Sequence, residues 1–215
     1  MDKERFTRFL KLSLLCFLAV GGNFLLNNFF VNFMKLPLFL DTVFNIAITF
    51  AAGLIPGLVT TLLSYIVIAV RNNSFSPFIL CSIAEVIIVY RLKPAEPKKK
   101  QPWESLPRGA SPEIKINSIV GVFVKLMVLY IACSLAVSVL GGIIDFFFYG
   151  ILSNPKLYYT AEDTFKIGLL RSGIPVLVMD ILSRIPVNIV DRFIVIFGGY
   201  FISRALTHRK IVCPH

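Results

Sequence analysis

Acidic residues are scarce in these 215 residues, with 12 Asp and Glu against 22 Lys and Arg. Tryptophan occurs once, histidine twice and cysteine four times. Cys16, Cys81 and Cys133 are scattered through apolar runs and Cys213 lies near the end, with no CxxC pair and no His at ligand spacing. That pattern excludes a disulfide framework and a zinc site, so no metal and no cofactor is expected. A Gly-x4-Gly-Lys-Ser/Thr loop is also missing, which removes the usual phosphate cradle of an ATPase. Long polar stretches are few, so a sizeable water-soluble domain has no room.

What is present is apolar: 56% of residues are hydrophobic, 20 are Phe, and the mean hydropathy is +0.78. Values this high in a chain of this size indicate an integral membrane protein. The net charge of +10 would suit nucleic acid if the cations shared one exposed face, but most of them fall in three short segments between apolar runs. Lys3, Arg5, Arg8 and Lys11 open the chain, seven cations lie in residues 91–115 beside Glu96, Glu104 and Glu113, and Arg204, Arg209 and Lys210 close it. Cytoplasmic segments carry this excess under the positive-inside rule, so both termini are expected in the cytoplasm and no nucleic-acid partner is expected.

The expected fold is an all-α integral membrane bundle of about six transmembrane helices in a single domain. A span needs about 20 apolar residues. The apolar runs place spans near residues 12–34, 38–54, 56–70, 75–92, 116–146 and 187–206. The first run is too long for a signal-peptide core and lacks a small-residue cleavage site. Gly53-Leu54-Ile55-Pro56-Gly57 reads as a tight turn closing a helical hairpin. Residues 93–115, basic and proline-punctuated, read as a cytoplasmic linker. Residues 167–185 read as an amphipathic or partly inserted helix, separated from the last span by Pro186.

Polar groups in hydrocarbon are costly, about 2.5 to 3.5 kcal/mol for a charged residue at a helix centre on insertion scales, so each calls for a reason. Asn23 and Asn27 are four apart and share a helical face, as do Asn28 and Asn32. They suit either interhelical hydrogen bonds or contact with a ligand, since an amide both donates and accepts. Asp41 with Thr42 suits an N-cap of the second helix, a ligand contact, or both. Asp180, Arg184, Asn188 and Asp191 form one stripe if the helix survives Pro186, with Asp180 and Arg184 spaced as an ion pair. Glu85 is a lone acid in the fourth span. Gly53 and Gly57 are spaced as GxxxG, and Ala132 and Ala136 as a small-residue pair, both suited to close helix approach. Lys98-Lys99-Lys100 with Trp103 suits a loop beside anionic lipid.

Two separated motifs carry a resemblance. The run Lys35-Leu36-Pro37-Leu38-Phe39-Leu40-Asp41-Thr42 followed by small residues at 51–57, and Pro186-Val187-Asn188-Ile189-Val190-Asp191-Arg192 leading into the last span, resemble the substrate-binding S components of energy-coupling factor (ECF) transporters. The likeness covers about a third of the chain. It implies a six-helix protein of a prokaryotic cytoplasmic membrane that holds a small, vitamin-like nutrient near the outer face. It also implies docking on a membrane coupling subunit with two ATPases, and no catalysis by the chain itself. Carried onto this sequence, it makes Asn27, Asp41, Thr42, Asn45, Asn188 and Asp191 the substrate-binding candidates, with Asn23, Glu85, Asp180 and Arg184 behind them. The family's Ala-xxx-Ala contact in the first helix is absent; Ala19 is instead four residues before Asn23.

Two other classes compete. A solitary membrane sensor or scaffold fits the same composition. Asn188-x-x-Asp191-Arg192 also looks like one motif of lipoprotein signal peptidases, whose chemistry needs two carboxylates sharing a proton across a water. The second motif of that family would require an Asp shortly after a Phe-Asn pair, and Phe44-Asn45-Ile46-Ala47 continues with Ile48 instead.

Overall fold

A computed structural model describes residues 3–34, 40–73, 75–94, 112–151, 165–166, 168–169 and 171–208. The elements are α1 (Lys3–Asn27), a π-helical continuation (Asn28–Phe33), a 3-10 turn (Leu40–Thr42), α2 (Val43–Ala52), α3 (Leu54–Asn72), α4 (Ile79–Leu92), α5 (Pro112–Ile144), a second π-helical stretch (Asp145–Ile151) and α6 (Val176–His208). Among the described residues there is no strand. Part of the Lys35 to Thr42 motif, most of the basic linker with its lysine run and Trp103, and the basic tail lie outside the described residues.

Among the described residues, four helices are long and apolar enough to cross a membrane: Phe9–Val31, Leu54–Arg71, Ile119–Phe148 and Val176–Thr207. The second and fourth of the six expected spans are shorter than the apolar runs suggested. At 10 and 14 residues, α2 and α4 reach about 15 and 21 Å at 1.5 Å per residue, against a hydrocarbon core of about 30 Å. The short α2 is tolerated because it is wrapped by protein. Val43 and Asn45 to Ala51 are all buried, and α2 packs on α1, α3, α4 and α6. Backbone that ends at membrane depth is stable only where protein, not lipid, surrounds it.

Gly53 makes the α2–α3 turn as a single residue at φ 94°, a left-handed value that favours glycine. Gly57, one turn into α3, lies so close to α2 that a Cβ there would collide with Thr49, whose Cα would be 3.3 Å away. Both glycines of the GxxxG pair therefore serve the hairpin within the chain. At the far end of α3, Asn73 adopts the left-handed conformation that commonly closes a helix.

Pro186 does not divide the last segment. One 33-residue helix, α6, runs through it, in place of a separate helix over 167–185 and a span over 187–206. A mid-helix proline removes one backbone hydrogen bond and crowds the preceding turn. Here the helix is held by packing along α5 and α2 on both sides of the proline. Pro186 faces outward, and Ser183 Oγ donates to the Asp180 carbonyl within the preceding turn, 3.0 Å.

The core joins Leu40, Val43, Ile46 and Phe50 to Val86 and Val89, to Leu126, Leu129 and Cys133, and to Val195, Ile196 and Tyr200. A smaller cluster packs Cys16 and Ala19 of α1 on Ile48. Large side chains such as Phe17, Leu25, Val128 and Phe201 point outward on the long helices, the arrangement of a bundle whose outer solvent is lipid. The pairings give the bundle two distinct ends. Leu12, Leu15 and Ala52 all pack against the Cys16, Ala19 and Ile48 cluster, Lys93 lies over Tyr90, and Arg204 lies over Tyr200, which meets Phe50. Lys11, Arg91, Lys93 and Arg204 thus share one end, while Asp41, Asn73, Asp145 and Asp180 lie toward the other.

Candidate functional site

The polar residues divide into four groups by what they touch. Asn23, fully buried on α1, is the hub of the first. Its Nδ2 donates to Asn45 Oδ1 (2.7 Å) and Ser64 Oγ (3.0 Å), and its Oδ1 accepts the Phe44 backbone N–H (3.0 Å). Ser64 Oγ in turn donates to Asn45 Oδ1 at 3.2 Å. One amide therefore ties the beginning of α2 to α1 and α3, at a depth where unpaired polar atoms would be destabilising.

A small cavity of about 30 Å³ opens beside this hub, lined by Asp41, Thr42, Asn45, Thr61, Ser64, Tyr65, Ile68 and Ser82. It lies among the 3-10 turn and α2, α3 and α4. About 10 to 15 Å³ accommodates one water by this measure, so the space suits two waters or one small polar group. Most hydroxyl protons of the wall are already used internally. Thr61 donates to the Gly57 carbonyl (2.8 Å), Ser64 to Asn45, and Tyr65 to the Ser76 carbonyl (2.5 Å).

Immediately behind Thr42 lies the third group, which is ionic. Arg192 Nη1 contacts Glu85 Oε2 and Nη2 contacts Asp191 Oδ2, in two short charge-assisted pairs. Nη1 also reaches Thr42 Oγ1 at 3.2 Å, and the Thr42 side chain hydrogen-bonds Glu85. Glu85, Asp191, Arg192 and Thr42 are all buried. Among the described residues, Glu85 Oε1, Asp191 Oδ1 and Arg192 Nε have no hydrogen-bond partner. Thr42 occupies the N-cap position of α2 but makes no capping bond; its hydroxyl is taken by the ion group instead.

The fourth group closes the same end of the bundle between α5 and α6. Asp145 Oδ2 accepts from Arg184 Nε (2.7 Å) and from Lys166 Nζ (3.1 Å), and Lys166 also pairs with Asp180 at 3.4 Å. Arg184 stacks over Phe78 at 4.4 Å. Of the expected Asp180 and Arg184 pair, Arg184 bonds Asp145 and Asp180 pairs with Lys166.

Of the substrate-binding candidates, Asp41, Thr42 and Asn45 meet at the cavity, with Asn23 directly behind them. Asn27, Asn188 and Asp191 do not line it. Asn27 is half-buried at the end of α1. Asn188 is clasped between α5 and α6, its Nδ2 on Ser138 Oγ at 3.0 Å and its carbonyl accepting from Ser134 Oγ at 3.3 Å. Asp191 turns to its own neighbour Arg192. Asn188 is thus held by α5 and Asp191 by the ion group. Glu85, Asp180 and Arg184 are each in an ion cluster outside the cavity wall.

Sequence reasoning missed Thr61, Ser64, Tyr65 and Ser82 as wall residues. Thr61, Ser64, Tyr65 and Ile68 fall at i, i+3, i+4 and i+7, the spacing of one helical face, and that polar stripe in an otherwise apolar span was the available signal. Asp145, the lone acid of its apolar run, was the corresponding signal for the fourth group. Among the described residues no group of three or more His, Cys, Asp or Glu could hold a metal ion. Compared with known proteins, the chain matches no family model, no curated protein and no solved structure.

Proposed function

We propose that this chain is a membrane-embedded binding protein that takes a small polar solute into the cavity at Asp41, Thr42 and Asn45, as the substrate-binding component of an uptake system driven by separate ATPase subunits. One observation carries the reading: the cavity is walled by side chains of Asp41, Thr42 and Asn45 together with residues of two further helices, and is seated toward the end of the bundle away from Lys11, Arg91, Lys93 and Arg204. The positive-inside rule puts that basic end in the cytoplasm and the cavity toward the outside, where an uptake protein meets its solute. Pockets for whole drug-sized ligands run from about 300 to 1,000 Å³. A space of about 30 Å³ matches a small solute or the polar head of a larger one, which narrows the vitamin-like expectation to what such a head can be.

The ion group favours binding over peptidase chemistry. Asp191 and Glu85 flank a guanidinium that contacts both, whereas an aspartyl peptidase needs two carboxylates facing one water.

Purification from the native host in mild detergent tests the assembly. Co-purification of a membrane coupling subunit with two ATPases in stoichiometric amounts is expected, and repeated recovery of the chain alone would favour a solitary sensor or scaffold. A melting screen against small polar solutes tests binding separately. A ligand at a hundredfold excess over its Kd stabilises by about 2.7 kcal/mol, and a flat response across the screen would remove the binding role.

A further inference from the structure

We infer that Phe75 to Phe78 form an outer gate of the cavity, latched by the Tyr65 hydroxyl; this rests on the binding role proposed above, for which it supplies the entry path, and its test needs no solute. Helix α4 ends with Arg91 and Lys93 at the basic end. Its start, and the four residues before it, therefore lie at the opposite end, where an incoming solute arrives. Ser82, in the first turn of α4, lines the cavity, as do Tyr65 and Ile68 on α3. The connection into α4 thus lies outward of these wall residues. Tyr65 reaches from the wall to that connection. Its hydroxyl donates to the Ser76 carbonyl and accepts the Ser76 backbone N–H, each at 2.5 Å. One wall side chain holds both backbone polar groups of the residue above it.

The two halves of the connection are anchored unequally. Phe78 is fixed: its ring packs against Cys81, Val137 and Ile144, the Arg184 guanidinium stacks over it at 4.4 Å, and its carbonyl accepts the Cys81 N–H at 3.0 Å. Phe75 is 76% exposed, with its ring 6.4 Å from that of Tyr65. Ser76 has its backbone held by the Tyr65 side chain and not by a helical ladder. Segments with few buried contacts open locally at low free-energy cost, and at the outer end water can take over both Ser76 groups. Rotation of Tyr65 would release the two bonds together and remove part of the cavity wall in the same movement, with Phe78 as the fixed side of the hinge. A closed space of about 30 Å³ admits nothing larger than a small solute group until that movement occurs.

The test places a reporter thiol in the wall with Ser82→Cys, in the full chain in lipid nanodiscs. The probe is 2-sulfonatoethyl methanethiosulfonate, and its modification of each cysteine is resolved by mass spectrometry. The adjacent native thiol, Cys81, packs instead with Val137 and Ile144; together with buried Cys16 and Cys133 it reports unfolding and not gating. Modification at position 82 is expected while these three stay unmodified. Adding Tyr65→Phe, which keeps the ring and removes both bonds to Ser76, should speed modification at position 82 at least tenfold and leave the three native thiols unchanged. Tyr130→Phe, a hydroxyl loss on α5 away from the cavity, should leave the rate within about twofold. Ile68→Cys repeats the measurement from the α3 wall if the first reporter fails to fold. The inference is overturned if Tyr65→Phe leaves the reporter rate within twofold, or if reporter and native thiols are modified together, since Tyr65 would then only hold the fold. A flat solute screen beside a rate that depends on Tyr65 would remove the binding role and leave the gate; a solute response with no effect of Tyr65→Phe on the reporter would do the reverse.

Discussion

Two ion clusters lie in this bundle, and they are built on opposite principles. At Asp145, Asp180, Lys166 and Arg184, two acids meet two bases among the described residues, and the side chains of Lys166 and Arg184 retain 20% and 18% exposure. At Glu85, Asp191 and Arg192, two acids meet one base, and among the described residues three polar atoms of this buried triad lack partners. The first is what a helix junction near an interface requires, being partly wet. The second is more than a junction requires, and it adjoins the cavity through Thr42. Exposure therefore separates the cluster at the α5–α6 junction from the one placed beside the cavity.

The largest effect is expected from Arg192→Met. Removing one partner of a buried ion group costs about 3 to 5 kcal/mol, so the variant should accumulate poorly or melt far below the parent. Adding Glu85→Gln and Asp191→Asn should recover much of the loss, because no carboxylate of the triad is then left uncompensated. The buried thiols Cys16, Cys81 and Cys133 supply the readout, through a thiol-reactive dye in a Cys213→Ser background. An Arg192→Met protein as stable as the parent would break the distinction between the clusters.

A smaller effect is expected at Gly142, which brings α5 against α6 beside the junction cluster. A Cβ there would lie 2.7 Å from the Ile181 backbone, so Gly142→Ala should force the helices apart and destabilise by about 1 to 3 kcal/mol. The same shift should separate Asp145 from Arg184. If Gly142→Ala melts with the parent, the close approach is not what positions this junction.

The smallest effect is expected from Arg184→Gln. Its ion pairs reach the surface, where such pairs contribute about 0 to 1 kcal/mol and weaken with salt. A loss comparable to that of Arg192→Met, measured by the same thiol assay, would show that exposure does not distinguish the two clusters.

The helical nature of the chain and its long spans were legible in the apolar runs, because hydrocarbon requires long helices with their backbone bonds closed internally. Residues 12–34 and 116–146 needed only shifted boundaries. The runs at 38–54 and 75–92 misled because an apolar stretch has the same composition whether lipid or neighbouring helices cover it; α2 is apolar through burial in protein. Pro186 misled for a related reason, since local preference disfavours a helix that packing on both sides then maintains.

For the site, Asp41, Thr42 and Asn45 could be picked out as polar residues out of place, whereas Ser82 and Tyr65 are unremarkable locally. Asn188 and Asp191 stood out equally, yet one clasps two helices and the other pairs with its neighbour. By itself the sequence determined that this chain is helical and apolar, and which polar side chains its spans must accommodate. Only the tertiary structure decided which of them meet: Arg192 with Glu85, 107 residues earlier, and with Thr42, 150 residues earlier. Helical periodicity assigns a residue to a face of its own helix, while the helix that covers that face is chosen by the packing of the whole bundle.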